Sequence, residues 1–336
     1  MSDLAARDEL DSRLEQYRTE LTGYCYRMLG SPFEAEDAVQ DTMVRAWKSL
    51  DKFEGRSSLR SWLYRIATNV CLDMLNAGNR RARPMDLSGP TPVAQAQLSA
   101  RPENVWLEPV PDGRVLPSVT DPAETAVSRE TIRLAFVAAL QHLPPKQRAV
   151  LILREVLSWK ASEVAELLDT TVASVNSALQ RARTTIAESE SASASSPGAV
   201  AEVLDDEHKE LLERYVAAFE GYDMKALTAL LHDDAKFTMP PFDLWLQGHD
   251  NITGFMLGIG AGCRGSRLIP TVANGSPAFA HYKPAESGEG YTPWALQVIE
   301  IEKGEIVAMN FFLDTPRWFP LFDLPLAPEF QDVLRK

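Results

Sequence analysis

Two interruptions in the hydrophobic patterning decide what this chain can fold into. Residues 83–122 are rich in proline and hold no sustained period of either helix or strand, and Ser189 opens a run reading Ser-Glu-Ser-Ala-Ser-Ala-Ser-Ser-Pro-Gly. Stretches of that composition offer little apolar surface to a core, so the 336 residues cannot share a single one. The expected organisation is multidomain: a unit at 1–82, a Pro-rich linker at 83–122, a second unit at 123–188, a Ser-rich linker at 189–199 and a third unit at 200–336.

Net charge is −13, a poor total for binding nucleic acid, but the acid is unevenly placed. The chain is near neutral to Met85, acidic from Asp86 to Val127, basic from Ser128 to Ala187 and strongly acidic beyond. Phosphate contact draws on Lys and Arg displacing counterions, so DNA binding is expected from the first two units only. The opening residues lack a basic stretch followed by an apolar one, and no apolar run reaches membrane length; the sequence therefore reads as cytoplasmic, with no membrane contact. Cys25, Cys71 and Cys263 are scattered without metal-ligand spacing, so they read as apolar fillers and no metal or cofactor is expected.

The first unit reads as helical throughout. Val39, Met43, Ala46 and Trp47 recur on one side of a helix whose other side carries Asp37, Gln40, Asp41 and Arg45. Ser57 or Ser58 can cap the next helix, where Leu59, Leu63, Ile66 and Val70 form a stripe that Trp62 is expected to join. The second unit reads as four helices, at 132–143, 146–156, 160–168 and 172–187. Its last two form a helix-turn-helix: Ala165 permits a close crossing, Val164 and Leu168 face inward, Val175 anchors the second helix and a threonine at the turn can cap it. That second helix suits the major groove, with Thr171, Ala173, Ser174 and Ser177 near its start and Arg181 and Arg183 placed for phosphates. Beyond residue 200 the pattern becomes two helices followed by strands at 235–239, 294–301 and 306–313, an α+β unit.

Leu143-Pro144-Pro145-Lys146-Gln147-Arg148-Ala149-Val150-Leu151 with the helix-turn-helix after it resembles region four of sigma-70-type transcription factors. Asp37-Ala38-Val39-Gln40-Asp41-Thr42-Met43-Val44-Arg45-Ala46-Trp47, continued by Phe53 to Asn69, resembles region two. With the intervening region absent, the layout is similar to the extracytoplasmic-function group. The resemblance implies a promoter-specificity subunit that binds core RNA polymerase through its largest-subunit clamp helices and beta flap. Asp37, Gln40, Asp41 and Val44 would meet the polymerase. Phe53, Arg56, Ser57, Asn69, Arg60, Arg65, Arg80 and Arg81 would take the minus-ten element of promoter DNA, and the second helix of the helix-turn-helix the minus-thirty-five element.

The third unit resembles the SnoaL-like cone fold, through Leu212 to Phe219, His232-Asp233-Asp234-Ala235-Lys236-Phe237 and Gly248-His249-Asp250-Asn251-Ile252. The implied fold is thus two all-α domains followed by an α+β cone whose pocket would be lined by Trp245, Asp243, His249 and His281 and could take an unidentified small ligand. Trp106 and Leu107 in the linker, with Trp318 and Phe319 near the end, are candidates for contact between domains. The favoured reading is a sigma factor regulated in cis by its last domain, without catalysis. Two other readings stand beside it: a ligand-responsive helix-turn-helix regulator working without polymerase, and a SnoaL-like enzyme with a DNA-binding appendage.

Overall fold

The computed structural model describes residues 12–50, 53, 58–78, 80–117, 121–192, 206–328 and 330. The chain divides into two compact units, one formed by Met1–Ala82 with Leu107–Ala201, the other by Arg83–Trp106 with Glu202–Lys336. The Pro-rich segment read as a linker is therefore shared between the two folds.

Among the described residues, the early helices of the first unit are, after a helical turn at residues 12–15, α1 (Arg18–Leu29), α2 (Pro32–Lys48) and α3 (Leu59–Ala77). Local chemistry sets their ends. Gly30 takes a left-handed φ of 75° after α1, and a Cβ there would stand 2.9 Å from Leu107 Cδ1. Ser31 Oγ accepts from Glu34 N at 3.3 Å with Pro32 at the first helical position, and Ser58 Oγ accepts from Ser61 N at 3.0 Å. After the single turn Asp112–Val115 come α4 (Pro122–Glu130), α5 (Leu134–Gln141), α6 (Pro145–Leu151), α7 (Ala161–Leu167) and α8 (Val172–Ala192). A π-turn at Ile152–Val156 extends α6, and Ser158 at φ 56° reverses the chain so that Trp159 is buried.

Buried arginines bind the early helices to the later ones. Arg148 donates to Gln141 Oε1 at 2.7 Å, to the Gln141 and Leu143 carbonyls at 3.2 Å each, and to the Met28 carbonyl near the end of α1. Arg27 donates to the Thr131 carbonyl at 3.0 Å and to its hydroxyl at 2.6 Å. Burial pulls both guanidinium pKa values down to about 10. Arg81 is also buried, at 5 % exposure, between Glu34 (2.7 Å) and Glu108 (3.2 Å), while Glu108 N donates to the Gly30 carbonyl.

In the second unit α9 (Asp206–Glu220) and α10 (Met224–Thr228) precede a six-stranded sheet ordered β2-β1-β6-β5-β4-β3. The strands are β1 (Leu231–Thr238), β2 (Trp245–Gln247), β3 (Arg267–Ala273), β4 (Ser276–Pro284), β5 (Tyr291–Glu302) and β6 (Glu305–Phe312). Only β1 and β6 run parallel, registering Phe237 with Met309; α11 (His249–Leu257) lies between β2 and β3. One side of the sheet meets α9 and α11 through Tyr215, Phe219, Phe237, Phe255, Phe279 and Phe311. Tyr282 and Phe312 pack on Phe319 and Trp318 of α12 (Thr315–Leu321), the last helix among the described residues.

The strap Arg83–Trp106 belongs to this second fold. Thr91 N donates to the Trp245 carbonyl at 2.9 Å, Val93 N to Asn251 Oδ1 at 3.0 Å, Asp243 N to the Ser99 carbonyl at 3.0 Å, and Trp245 Nε1 to the Ser88 carbonyl at 2.9 Å. Its prolines suit it to a sheet edge, where a missing N–H breaks no ladder. Replacing Arg148 with alanine strips donors from several buried carbonyls and is expected to cost about 3 kcal/mol in urea unfolding of the first unit; a loss below about 0.5 kcal/mol would show that solvent supplies those carbonyls instead.

Candidate nucleic-acid interface

The helix-turn-helix is built from a narrow apolar side and a wide polar one. Val164, Ala165 and Leu167 of α7 are buried, as are Val175, Ala178, Leu179 and Ala182 of α8. Asp169 adopts φ 51° in the turn, Thr170 N donates back to the Ala165 carbonyl, and Thr171 Oγ1 accepts from Ser174 N at 3.1 Å. Of the threonines at the turn, Thr171 supplies the cap. Thr171, Ala173, Ser174, Ser177, Arg181 and Arg183 are all exposed. Arg183 reaches Glu155 at 2.7 Å, a pair more than a third exposed on both sides and therefore weak. Exposed Asn176 and Gln180 share this surface; sequence reasoning passed over them because their side depends on which apolar residues turn inward.

On α2 the buried residues are Ala35, Ala38, Val39, Thr42 and Ala46, which turns Asp37, Gln40 and Val44 outward, with Asp41 at the margin bonded to Arg45 at 2.8 Å. Trp47, expected on the inner stripe, is 50 % exposed, and Val44 is 42 % exposed. At 100° per residue Trp47 falls well to one side of the buried stripe, which explains the difference. Two large apolar side chains, Val44 and Trp47, are thus exposed among acid and amide groups on this face.

The residues expected to follow the minus-ten strand are mostly engaged inside the first unit. Arg60 bonds Glu20 at 2.9 Å and lies over the Tyr64 and Trp159 rings at 5.2 and 5.4 Å. Arg65 donates to the Glu166 and Leu167 carbonyls, 2.6 and 3.3 Å away, where the C-terminal turn of α7 has carbonyls to spare. Arg80 meets the His142 ring at 2.9 Å, and Arg81 is the buried ion-pair partner described above. Asn69 is exposed, Phe53 is half-buried, and Arg56 and Ser57 lie outside the described residues. Trp62, expected in the core, is half-buried and stacks on Phe53 at 5.0 Å, while Tyr64 is fully buried against Tyr24 and Trp159. The inward side of α3 is centred on Leu63, Tyr64, Ala67, Thr68, Val70 and Cys71, which leaves Trp62 at its margin.

The residues read as a pocket in the last unit have separate employment. Asp243 pairs with Arg101 of the strap at 3.3 Å, Trp245 holds the Ser88 carbonyl, and His249 Nε2 lies 3.1 Å from the Leu231 and His232 carbonyls. His281 sits instead in a buried relay: Tyr215 Oη donates to Gln297 Oε1 at 2.7 Å, Gln297 Nε2 to His281 Nδ1 at 3.0 Å, and His281 Nε2 meets Ser266 Oγ at 2.8 Å. One imidazole tautomer matches every donor in that series to an acceptor. Burial pushes the His281 pKa down to about 3, with nearby Lys283 adding to the effect, so the ring is neutral at ordinary pH. Trp318 and Phe319, considered for contact between domains, are buried against their own sheet at 5 % and 0 % exposure. Trp106 is buried and falls to the second unit, Leu107 is buried and falls to the first.

Comparison with known proteins matches residues 14–81 to the sigma-70 region 2 family, 133–186 to sigma-70 region 4 and 212–309 to the SnoaL-like domain. The chain is 44 % identical over 330 residues to the ECF RNA polymerase sigma factor SigG of Mycobacterium tuberculosis, spanning 95 % of this chain and 85 % of that protein. It is 26 % identical over 309 residues to SigJ of the same organism, with 89 % of each chain covered. The crystal structure of SigJ superposes with a TM-score of 0.58 at 23 % identity over 94 % of this chain and 99 % of that one, a likeness of fold.

The relay sets a pH dependence. His281 stays unprotonated in the folded protein down to about pH 3, whereas the unfolded chain binds a proton below about 6.5. The contribution of His281 to stability is therefore full above pH 6.5 and falls by about 1.4 kcal/mol per pH unit as acid is added, down to about pH 3. His281→Gln should flatten that part of the slope in urea unfolding between pH 7 and 5; equal slopes for both proteins would exclude a buried neutral imidazole.

Proposed function

The chain belongs to the extracytoplasmic-function RNA polymerase sigma factors, and from that premise we propose that it binds core polymerase, directs it to a set of promoters in the cytoplasm, and is held in check by its own last domain. Asp37, Gln40, Asp41 and Val44, with Trp47, meet the clamp helices of the polymerase; α8 and its neighbours take the minus-thirty-five element and the beta flap. The region around Phe53 and Asn69, with Arg56, Ser57, Arg60 and Arg65, takes the minus-ten element. The last domain is regulatory and not catalytic. The observation that carries this reading is the exposure of both working surfaces, the acid-and-tryptophan face of α2 and the polar face of α8, on one helical unit.

The engaged arginines support a resting state. Arg65 holds the carbonyls at the end of α7, so it reaches a DNA strand only once that helix moves away, while Arg60 is held by Glu20 of α1 and lies over the Tyr64 and Trp159 rings. The tether points the same way. Leu107 N bonds the Ala82 carbonyl at 2.9 Å, so with the strap folded only about fifteen residues, from Leu107 to the start of α4, connect the two helical modules. That length reaches about 50 Å when extended. Promoter elements roughly 25 base pairs apart are about 85 Å apart at about 3.4 Å per pair; allowing about 13 Å for each module leaves about 60 Å. Release of the 24-residue strap supplies the difference. The last domain, by gripping the strap, thus governs whether the modules can separate, and a ligand that altered that grip would act as its signal.

Transcription reactions with sigma-free core polymerase on genomic fragments are expected to give discrete runoff products, and Trp47→Ala or Asp41→Ala to weaken polymerase binding by about tenfold. Absence of core binding by the full chain and by a chain lacking the last domain would end this reading. The pair Arg101→Glu and Asn251→Ala, which loosens the strap without touching the helical unit, is expected to raise transcript yield several-fold; unchanged yield would remove the strap from the mechanism.

A further inference from the structure

The inward side of α8 is fixed by Val175, Ala178, Leu179 and Ala182. Helical periodicity then places Ala173, Ser177, Gln180 and Thr184 along the centre of the opposite side, Asn176 on one margin, and Ser174 and Arg181 on the other. All are exposed. Ala173 and Ser177 are small, so the helix can come close to a groove floor while longer neighbours reach past them. Two of those neighbours carry amides, Asn176 and Gln180, one turn apart. Among the described residues neither amide is used within the chain, whereas Thr171 and Ser174 serve the helix cap and Arg183 is paired with Glu155.

We propose that Asn176 and Gln180 are the base-reading pair of this helix and that each selects an adenine in the major groove. The proposal rests on the reading that α8 enters promoter DNA. A carboxamide presents one donor and one acceptor side by side, which matches the N6 amino group and N7 of adenine; guanine offers two acceptors there. Four residues of helix advance about 6 Å, close to two base-pair steps of about 3.4 Å. The selected adenines therefore lie two pairs apart, on either strand, with a less constrained pair between them. Arg181 and Ser174, on the margin, contact phosphate and set position rather than sequence.

The test is runoff transcription by core polymerase with the full-length chain on a promoter library whose upstream element is randomised, followed by sequencing of the productive templates. Wild-type protein should enrich adenine, on either strand, at two positions separated by one. Gln180→Ala should lower the preference at one position by about tenfold and Asn176→Ala at the other. Gln180→Glu should move its position toward cytosine, whose N4 amino group donates to a carboxylate. Identical base preferences in wild type and variants would overturn the assignment, as would a uniform fall in yield with preferences unchanged, which marks contact with the backbone. All four proteins should share one melting temperature, since these side chains are exposed. If wild-type protein yields no template-selective transcript at all, the sigma-factor reading itself fails and the base assignment falls with it.

Discussion

The helical unit depends on a charged group in an unfavourable place. Arg148 is almost wholly removed from water, a position that costs several kcal/mol unless the guanidinium finds acceptors. It finds them at the end of α1, in the side chain and carbonyl of Gln141, and at Leu143, so one side chain satisfies carbonyls from the early and the late helices together. Arg27 repeats the device toward Thr131. Such bonds are directional in a way that apolar contact is not. They hold the two modules in one arrangement, and the engagement of Arg60 and Arg65 follows from that arrangement.

Water can replace the protein partners of all these arginines once the modules part, because carbonyls and guanidinium groups alike are readily hydrated. Opening therefore costs less than the number of bonds suggests. Arg60 and Arg65, expected from the sequence to follow a DNA strand, are among the arginines engaged within the unit. Any partner that prefers separated modules would shift the arrangement only by as much as that preference.

What the sequence revealed follows from how local each signal is. The helix-turn-helix was legible because capping by a threonine at the turn and the inward positions of Val164 and Val175 are encoded within one turn or two, although Leu168, also expected inward, is half-buried and Leu167 takes the buried position. The acidic face of α2 was legible for the same reason, and Trp47 was misplaced because an amphipathic ring satisfies either side of a helix margin. Strands β2, β3 and β4 escaped notice: β2 is three residues long, β3 contains Pro270, and β4 alternates weakly because both of its sides are covered. The strap was read as a linker since its hydrogen bonds go to residues more than 140 positions away, which no local pattern reports. His281 was legible as a residue of interest but not as a relay member, because Tyr215, Ser266 and Gln297 are scattered over 82 positions and meet only in the fold.

The interior of the last domain offers little that can change state. Tyr215, Phe219, Phe279 and Phe311 fill the inner side of the sheet, the His281 relay matches donor to acceptor, and the imidazole is neutral across the pH range of a cell. Rearranging such a core forfeits dense packing at every step. The strap is fastened differently: a few backbone bonds, the Asn251 amide, the Trp245 indole, half-exposed ion pairs of Arg101 and Arg317, and the partly buried Val93 and Ala96 hold it. Elements fastened that way sit at the low end of local stability. The strap is also the covalent link between the sigma-70 region 2 and region 4 modules, so its contacts bear on how much chain lies free between them.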